Sequence, residues 1–131
     1  MQTPRTLAAG GQVPHFRVRT VDGGDVAYAD LWQRKNLLLV LLPDEGLSGA
    51  GPYEAAMRER MPELIAHDTV VVITRDRVPG APHPGVVVAD RWGEVHFVSG
   101  GPPDRLPAPA DLVEWLRYVQ VQCPECQGEA R

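Results

Sequence analysis

Hydrophobic positions change their spacing several times along this chain, and each change predicts an element. Residues 14–19 alternate Phe16 and Val18 with Arg17 and Arg19, the period-two pattern of a half-exposed strand. Asp22-Gly23-Gly24 is a turn signal, and Val26 restarts a short partner strand, which makes a hairpin. Asp30 is placed to cap a brief turn containing Leu31 and Trp32. Leu37, Leu38, Leu39, Val40, Leu41 and Leu42 then run apolar without alternation, as in a central parallel strand covered on both faces. Residues 43–52 are rich in glycine and proline and predict a loop.

From Tyr53 the period becomes helical, with Met57, Met61 and Leu64 or Ile65 on one stripe. Pro62 lies inside that stripe, where it is expected to kink the helix at a cost of ~3 kcal/mol. Residues 70–74 and 86–89 predict two further buried strands, separated by a Pro/Gly-rich loop over 78–85. Residues 90–93 read as a turn and 95–98 as an antiparallel return. Asp111 opens a last helix with Leu112, Trp115, Leu116 and Val119 on one face, and the chain from Gln120 onward reads as a short tail. This order predicts an α/β domain over 1–120, a mixed sheet with helices on both faces behind an N-terminal hairpin, and a tail over 121–131.

Composition narrows the class. The 131 residues suffice for one core, and 44% hydrophobic with 23% charged residues is ordinary for a globular domain. A net charge of -4 argues against nucleic acid or an anionic membrane surface as partner. Lys35 is the one lysine, and the arginines are scattered rather than grouped as at a phosphate site. Residues 1–11 hold no apolar run of signal-peptide length, and no stretch approaches the ~20 residues of a membrane span. With two cysteines, three residues apart, there is no secreted-type disulfide framework, so a cytoplasmic location is the expectation.

Three stretches carry more specific information. Val13-Pro14-His15-Phe16 leads through Asp22-Gly23 to Asp30-Leu31. Tyr53-Glu54-Ala55-Ala56-Met57-Arg58-Glu59-Arg60-Met61-Pro62-Glu63-Leu64 lines up without a gap on W-C-x-x-C-R-x-x-M-P-E-L. Pro84-Gly85-Val86-Val87-Val88-Ala89-Asp90-Arg91-Trp92-Gly93-Glu94-Val95 is similar to P-x-x-x-x-x-D-x-x-G-x-V. In this order the three resemble the redoxin group, which joins the alkyl hydroperoxide reductase/thiol-specific antioxidant proteins and the cytochrome-maturation thioredoxins. The resemblance covers residues 12 to 119. It implies a thioredoxin fold with a hairpin extension, Pro62 as the kink proline of the active-site helix, and a cis peptide before Pro84 facing the redox site.

The chain departs from that pattern where the chemistry sits. Glu54 and Met57 stand at the family's two cysteine positions, and the peroxiredoxin pattern P-x-x-x-T-x-x-C falls on Ala50 or Gly51. Thiol exchange needs a thiolate, and neither a carboxylate nor a thioether provides one. A conventional thioredoxin or peroxiredoxin activity is therefore not expected. Glu54, read as a helix-start residue, is expected to stabilise the helix dipole by ~0.3–1 kcal/mol.

Cys123-Pro124-Glu125-Cys126 keeps three readings open: a redox pair, half of a thiolate zinc site, or an inert or disulfide-closed tail. Following a helix rather than opening one, the pair faces a negative helix end that disfavours thiolate. Zinc wants four ligands, and His15, His67, His83 and His96 show no ligand-like spacing to one another, so a Cys₄ site would need a homodimer. His15 and His96 read as strand residues, packed or solvated, and Trp32, Trp92 and Trp115 as core or core-edge. Asp44 and Glu45 read as solvated.

Two functional classes result. The first is a non-enzymatic domain that binds a peptide or protein partner at the Pro84 loop, with Tyr53, Glu54, Met57, His83 and Pro84 lining the site. The second is a thiol-disulfide oxidoreductase acting through Cys123 and Cys126, with a zinc-bridged dimer as a variant of the first.

Overall fold

The computed structural model describes residues 6–44 and 49–122. Strand β3 (Asn36–Leu41) lies inside a four-stranded sheet of order β4-β3-β5-β6. It pairs parallel with β4 (Thr69–Thr74) and antiparallel with β5 (Gly85–Ala89), and β6 (Val95–Gly100) closes the sheet antiparallel to β5. Every residue of β3 is buried. Its alternate side chains feed two cores: Leu38 and Val40 enter one, Leu37, Leu39 and Leu41 the other. The unbroken apolar run at 37–42 is thus a strand covered on both faces, as expected.

The first core is roofed by all three α-helices. Met57 of α1 (Ala50–Glu59), Leu64 of α2 (Met61–Ile65), and Leu112, Leu116 and Val119 of α3 (Pro109–Gln122) meet there. The helices therefore share one face, which corrects the expectation of helices on both. The crossover over 75–84, where a helix would have covered the second face, holds Pro79, Pro82 and Pro84, and proline removes the N–H groups a helix needs. Residues 7–28 cover that face instead, through Leu7, Val13, Phe16, Val18 and Tyr28. They include the hairpin of β1 (Arg17–Arg19) and β2 (Asp25–Ala27), tied to β4 by the Val21 N–H donating to the Ile73 carbonyl at 2.9 Å.

Three further boundaries differ from expectation. α1 begins at Ala50 rather than Tyr53, behind Gly49, whose φ of 89° favours a residue without a Cβ. The helical stretch is broken at Arg60, so Pro62 falls in the first turn of α2 instead of inside one long helix. There its missing N–H has no helical acceptor to lose, and the expected cost of ~3 kcal/mol does not apply. α3 starts with Pro109 and runs to Gln122, so the boundary at 120 falls within the helix. Residues 123–131 lie outside the described residues.

These placements predict a contrast between two substitutions. Leu39→Ala should destabilise the domain by roughly 2–5 kcal/mol, since Leu39 is fully buried beneath the hairpin side. Pro62→Ala should shift stability by less than about 1 kcal/mol. Urea unfolding followed by circular dichroism measures both.

Candidate functional site

Pro43 after β3, the start of α1, the end of β4 and the loop before β5 meet at one end of the sheet. The His83–Pro84 peptide bond is cis, as the resemblance implied. His83 is fixed by its ring, whose Nε2 lies 2.9 Å from the Arg75 carbonyl. Pro84 accepts a hydrogen bond from the Gly101 N–H at 3.3 Å. The last rung between β3 and β5 joins Leu41 to Gly85, so residues 82–84 have no strand beside them on the β3 side. Pro43, Pro82, His83, Pro84, Pro102 and Pro103 wall a mostly apolar depression of about 690 Å³ there.

Glu54 stands beside this end of the sheet with its carboxylate between two guanidinium groups. Arg58, one helical turn on, donates to Oε2 through Nη2 at 2.7 Å and Nε at 3.0 Å. The Arg75 guanidinium lies 3.9 Å from Oε1, and Arg58 also reaches Asp22 in the hairpin at 2.9 Å. The hydrogen bond to Glu54, then that to Asp22, raises the pKa of Arg58. Because α1 starts at Ala50, Glu54 lies beyond its first turn, and the expected helix-dipole role gives way to this ion-pair network. Arg75 links the two halves of the site, meeting Glu54 through its side chain and His83 through its carbonyl.

The remaining expected binding residues point inward. Met57 is fully buried among the apolar side chains of the first core. Tyr53 is buried too, and its hydroxyl donates to the Pro107 carbonyl at 2.7 Å, tying α1 to the segment before α3. Neither offers a surface to a partner in this conformation. Of the five residues Tyr53, Glu54, Met57, His83 and Pro84, His83 and Pro84 line the depression, and Glu54 is linked to it through Arg75. The Ala50 alternative for a catalytic cysteine is buried at the start of α1. Cys123 and Cys126 lie outside the described residues.

Arg58 and Arg75 are the residues around Glu54 that sequence reasoning missed. The i,i+4 spacing of Glu54 and Arg58 was a readable signal. Arg75 reaches the site through the parallel pairing of β3 with β4, and no local pattern announces it.

No family model matches the sequence, and no curated protein is similar to it. Solved structures do match. The reduced 2-Cys peroxiredoxin of Plasmodium vivax superimposes with a TM-score of 0.69 at 11% identity, over 92% of this chain and 84% of its own. AhpC of Mycobacterium tuberculosis gives 0.67 at 11%, over 88% and 99%. A thiol:disulfide interchange protein of the thioredoxin family from Chlorobium tepidum gives 0.63 at 15%, over 88% and 99%. The chain has a thioredoxin-like redoxin fold. At these identities the likeness extends to the redoxin fold alone, and the chemistry rests on the residues described above. Among the described residues no helix is long and apolar enough to cross a membrane.

Burial at Tyr53 has a consequence for pH. Desolvation pushes its pKa up to about 12, above the usual 10. The neutral phenol is thus favoured in the fold, so this stabilisation is fully present below pH ~10 and is lost as pH rises through about 12. Between these limits stability should fall by on the order of 2 kcal/mol more in the wild type than in Tyr53→Phe. Urea unfolding at stepped alkaline pH checks the difference.

Proposed function

We propose that this redoxin-fold domain is a non-enzymatic binding module that takes an extended peptide or protein segment at the Pro84 loop. One observation carries the reading. The positions that resemble the redoxin cysteines hold an ion-paired Glu54 and a core-buried Met57, while the apolar surface beside Pro84 stays open. An extended segment laid along residues 82–84 would add a strand where β3 has ended, with apolar side chains against the prolines. Arg75, whose carbonyl meets His83 and whose guanidinium meets Glu54, would read polar groups on the same partner. A cytoplasmic setting goes with this reading, supported by the sparse cysteine content.

Two measurements on the full chain test it. In an NMR titration with a library of extended peptides, shifts should concentrate at the amides of His83, Gly85, Gly100 and Gly101. Pro102→Glu, which places a charge on the apolar wall, should abolish them. Peroxide and disulfide turnover should be negligible. Peptides that leave those resonances unmoved would contradict the proposal. Turnover that disappears in the Cys123→Ser/Cys126→Ser variant would instead assign the chain to thiol-disulfide exchange at that pair.

A further inference from the structure

The other end of β5 carries a second group of chemistry-bearing side chains, in the turn that leads into β6. Asp90 is 6% exposed, and its Oδ1 accepts the N–H groups of Trp92 at 2.9 Å and Glu94 at 3.0 Å. These bonds fix the carboxylate and direct Oδ2 to His96, whose Nε2 is 3.0 Å away. The β5–β6 pairing slips register here, with Ala89 opposite Val95 and Val88 opposite Phe97, so that His96 is the extra residue of a bulge beside Glu94. One ligand atom each from Asp90, Glu94 and His96 lies within 4.8 Å of the others.

The surroundings hold this arrangement in place. Gly93 donates to the Asp90 carbonyl at 3.0 Å, and the Val13 N–H donates to the Gly93 carbonyl at 2.9 Å. Gln12 bridges to Glu94 on the same segment. The Tyr118 ring stands edge-on to His96, and Arg91, the cation of the turn, is paired with Asp68 at 3.0 Å.

A second observation comes from beneath the turn. Tyr28 is fully buried, yet its hydroxyl has no hydrogen-bond partner among the described residues. It faces the same turn, since a Cβ built on Gly93 would stand 3.2 Å from it. An unpaired buried hydroxyl costs ~1–3 kcal/mol, and this one lies under the turn that joins Asp90 to Glu94.

We propose that Asp90, Glu94 and His96 form a binding site for a divalent ion of the zinc class. Zinc holds nitrogen and carboxylate oxygen at ~2.0–2.2 Å, which places neighbouring ligands of a tetrahedral ion about 3.3 Å apart. The Asp90–His96 separation of 3.0 Å is already close to that, with a proton where the ion would sit. Glu94, exposed at the mouth, closes onto the ion with a small movement. An imidazole among two carboxylates favours zinc or its transition-metal neighbours over calcium, which takes oxygen alone. Three protein ligands leave a fourth position for water. Bonds to Asp90 Oδ1 supply the outer shell such sites require.

The test uses the full chain carrying Cys123→Ser and Cys126→Ser, so that thiolates do not compete. Zinc is titrated by calorimetry and cobalt(II) by its visible absorption. One ion per chain should bind, and His96→Gln and Glu94→Gln should each weaken binding roughly tenfold or more with unchanged circular dichroism. Absence of binding up to millimolar metal, or binding that both replacements leave unaltered, overturns the site. Asp90→Asn is not the informative variant, because Oδ1 also holds the turn together.

Discussion

A strand that is apolar on both faces cannot be left with either face in water, and β3 imposes that condition on the whole molecule. Each leucine it buries contributes about 1.5–3 kcal/mol, so two separate covers are needed to collect the stabilisation. One cover is helical, supplied by α1, α2 and α3. The other is built from the N-terminal segment, the hairpin and the 3-10 turn at Tyr28–Asp30. Backbone pairing fixes the same strand from the sides, parallel to β4 and antiparallel to β5. Asn36 closes the arrangement at its base, where its buried amide donates to the His67 carbonyl at 2.9 Å and to Gln120 of α3 at 2.8 Å.

Both proposed surfaces follow from where this sheet ends. β3 stops at Leu41 while the chain before β5 continues past it, and that mismatch leaves the half-buried residues 82–84 without a strand on the β3 side. At the opposite end, β5 gives way to a turn in which one carboxylate oxygen holds two N–H groups and its twin is left for His96. The fold is redoxin-like, and within it Glu54 is a charged bridge among hairpin, helix and β4, while Met57 is packing.

Much of this was legible in the sequence where one local rule acted alone. The run at 37–42 could only be a doubly covered strand, and the stripe Met57, Leu64 was helical. Reading failed where two rules competed. The family pattern made Tyr53 and Met57 site residues, whereas their helical spacing made them core; burial prevailed, and both pack in the first core. Pro62 looked costly only while 53–65 was taken as one helix, and a break at Arg60 removed the conflict. The second face was assigned to helices by analogy with alternating α/β order, although the prolines of 75–84 already argued otherwise. Asp90, Glu94 and His96 went unnoticed because ligand spacings were sought among cysteines and histidines. Their proximity depends on the turn, which bends three residue types into one corner.

Native-state hydrogen exchange tests the dependence on β3 most directly. Its amides, shielded by both covers and paired on both sides, should exchange only through global unfolding, with the highest protection in the chain. Protection in α3 and in the hairpin should be equal or lower, since each covers a single face. If the amides of Leu38, Leu39 and Val40 exchanged faster than those of α3, the two covers would not converge on this strand, and the account would fail.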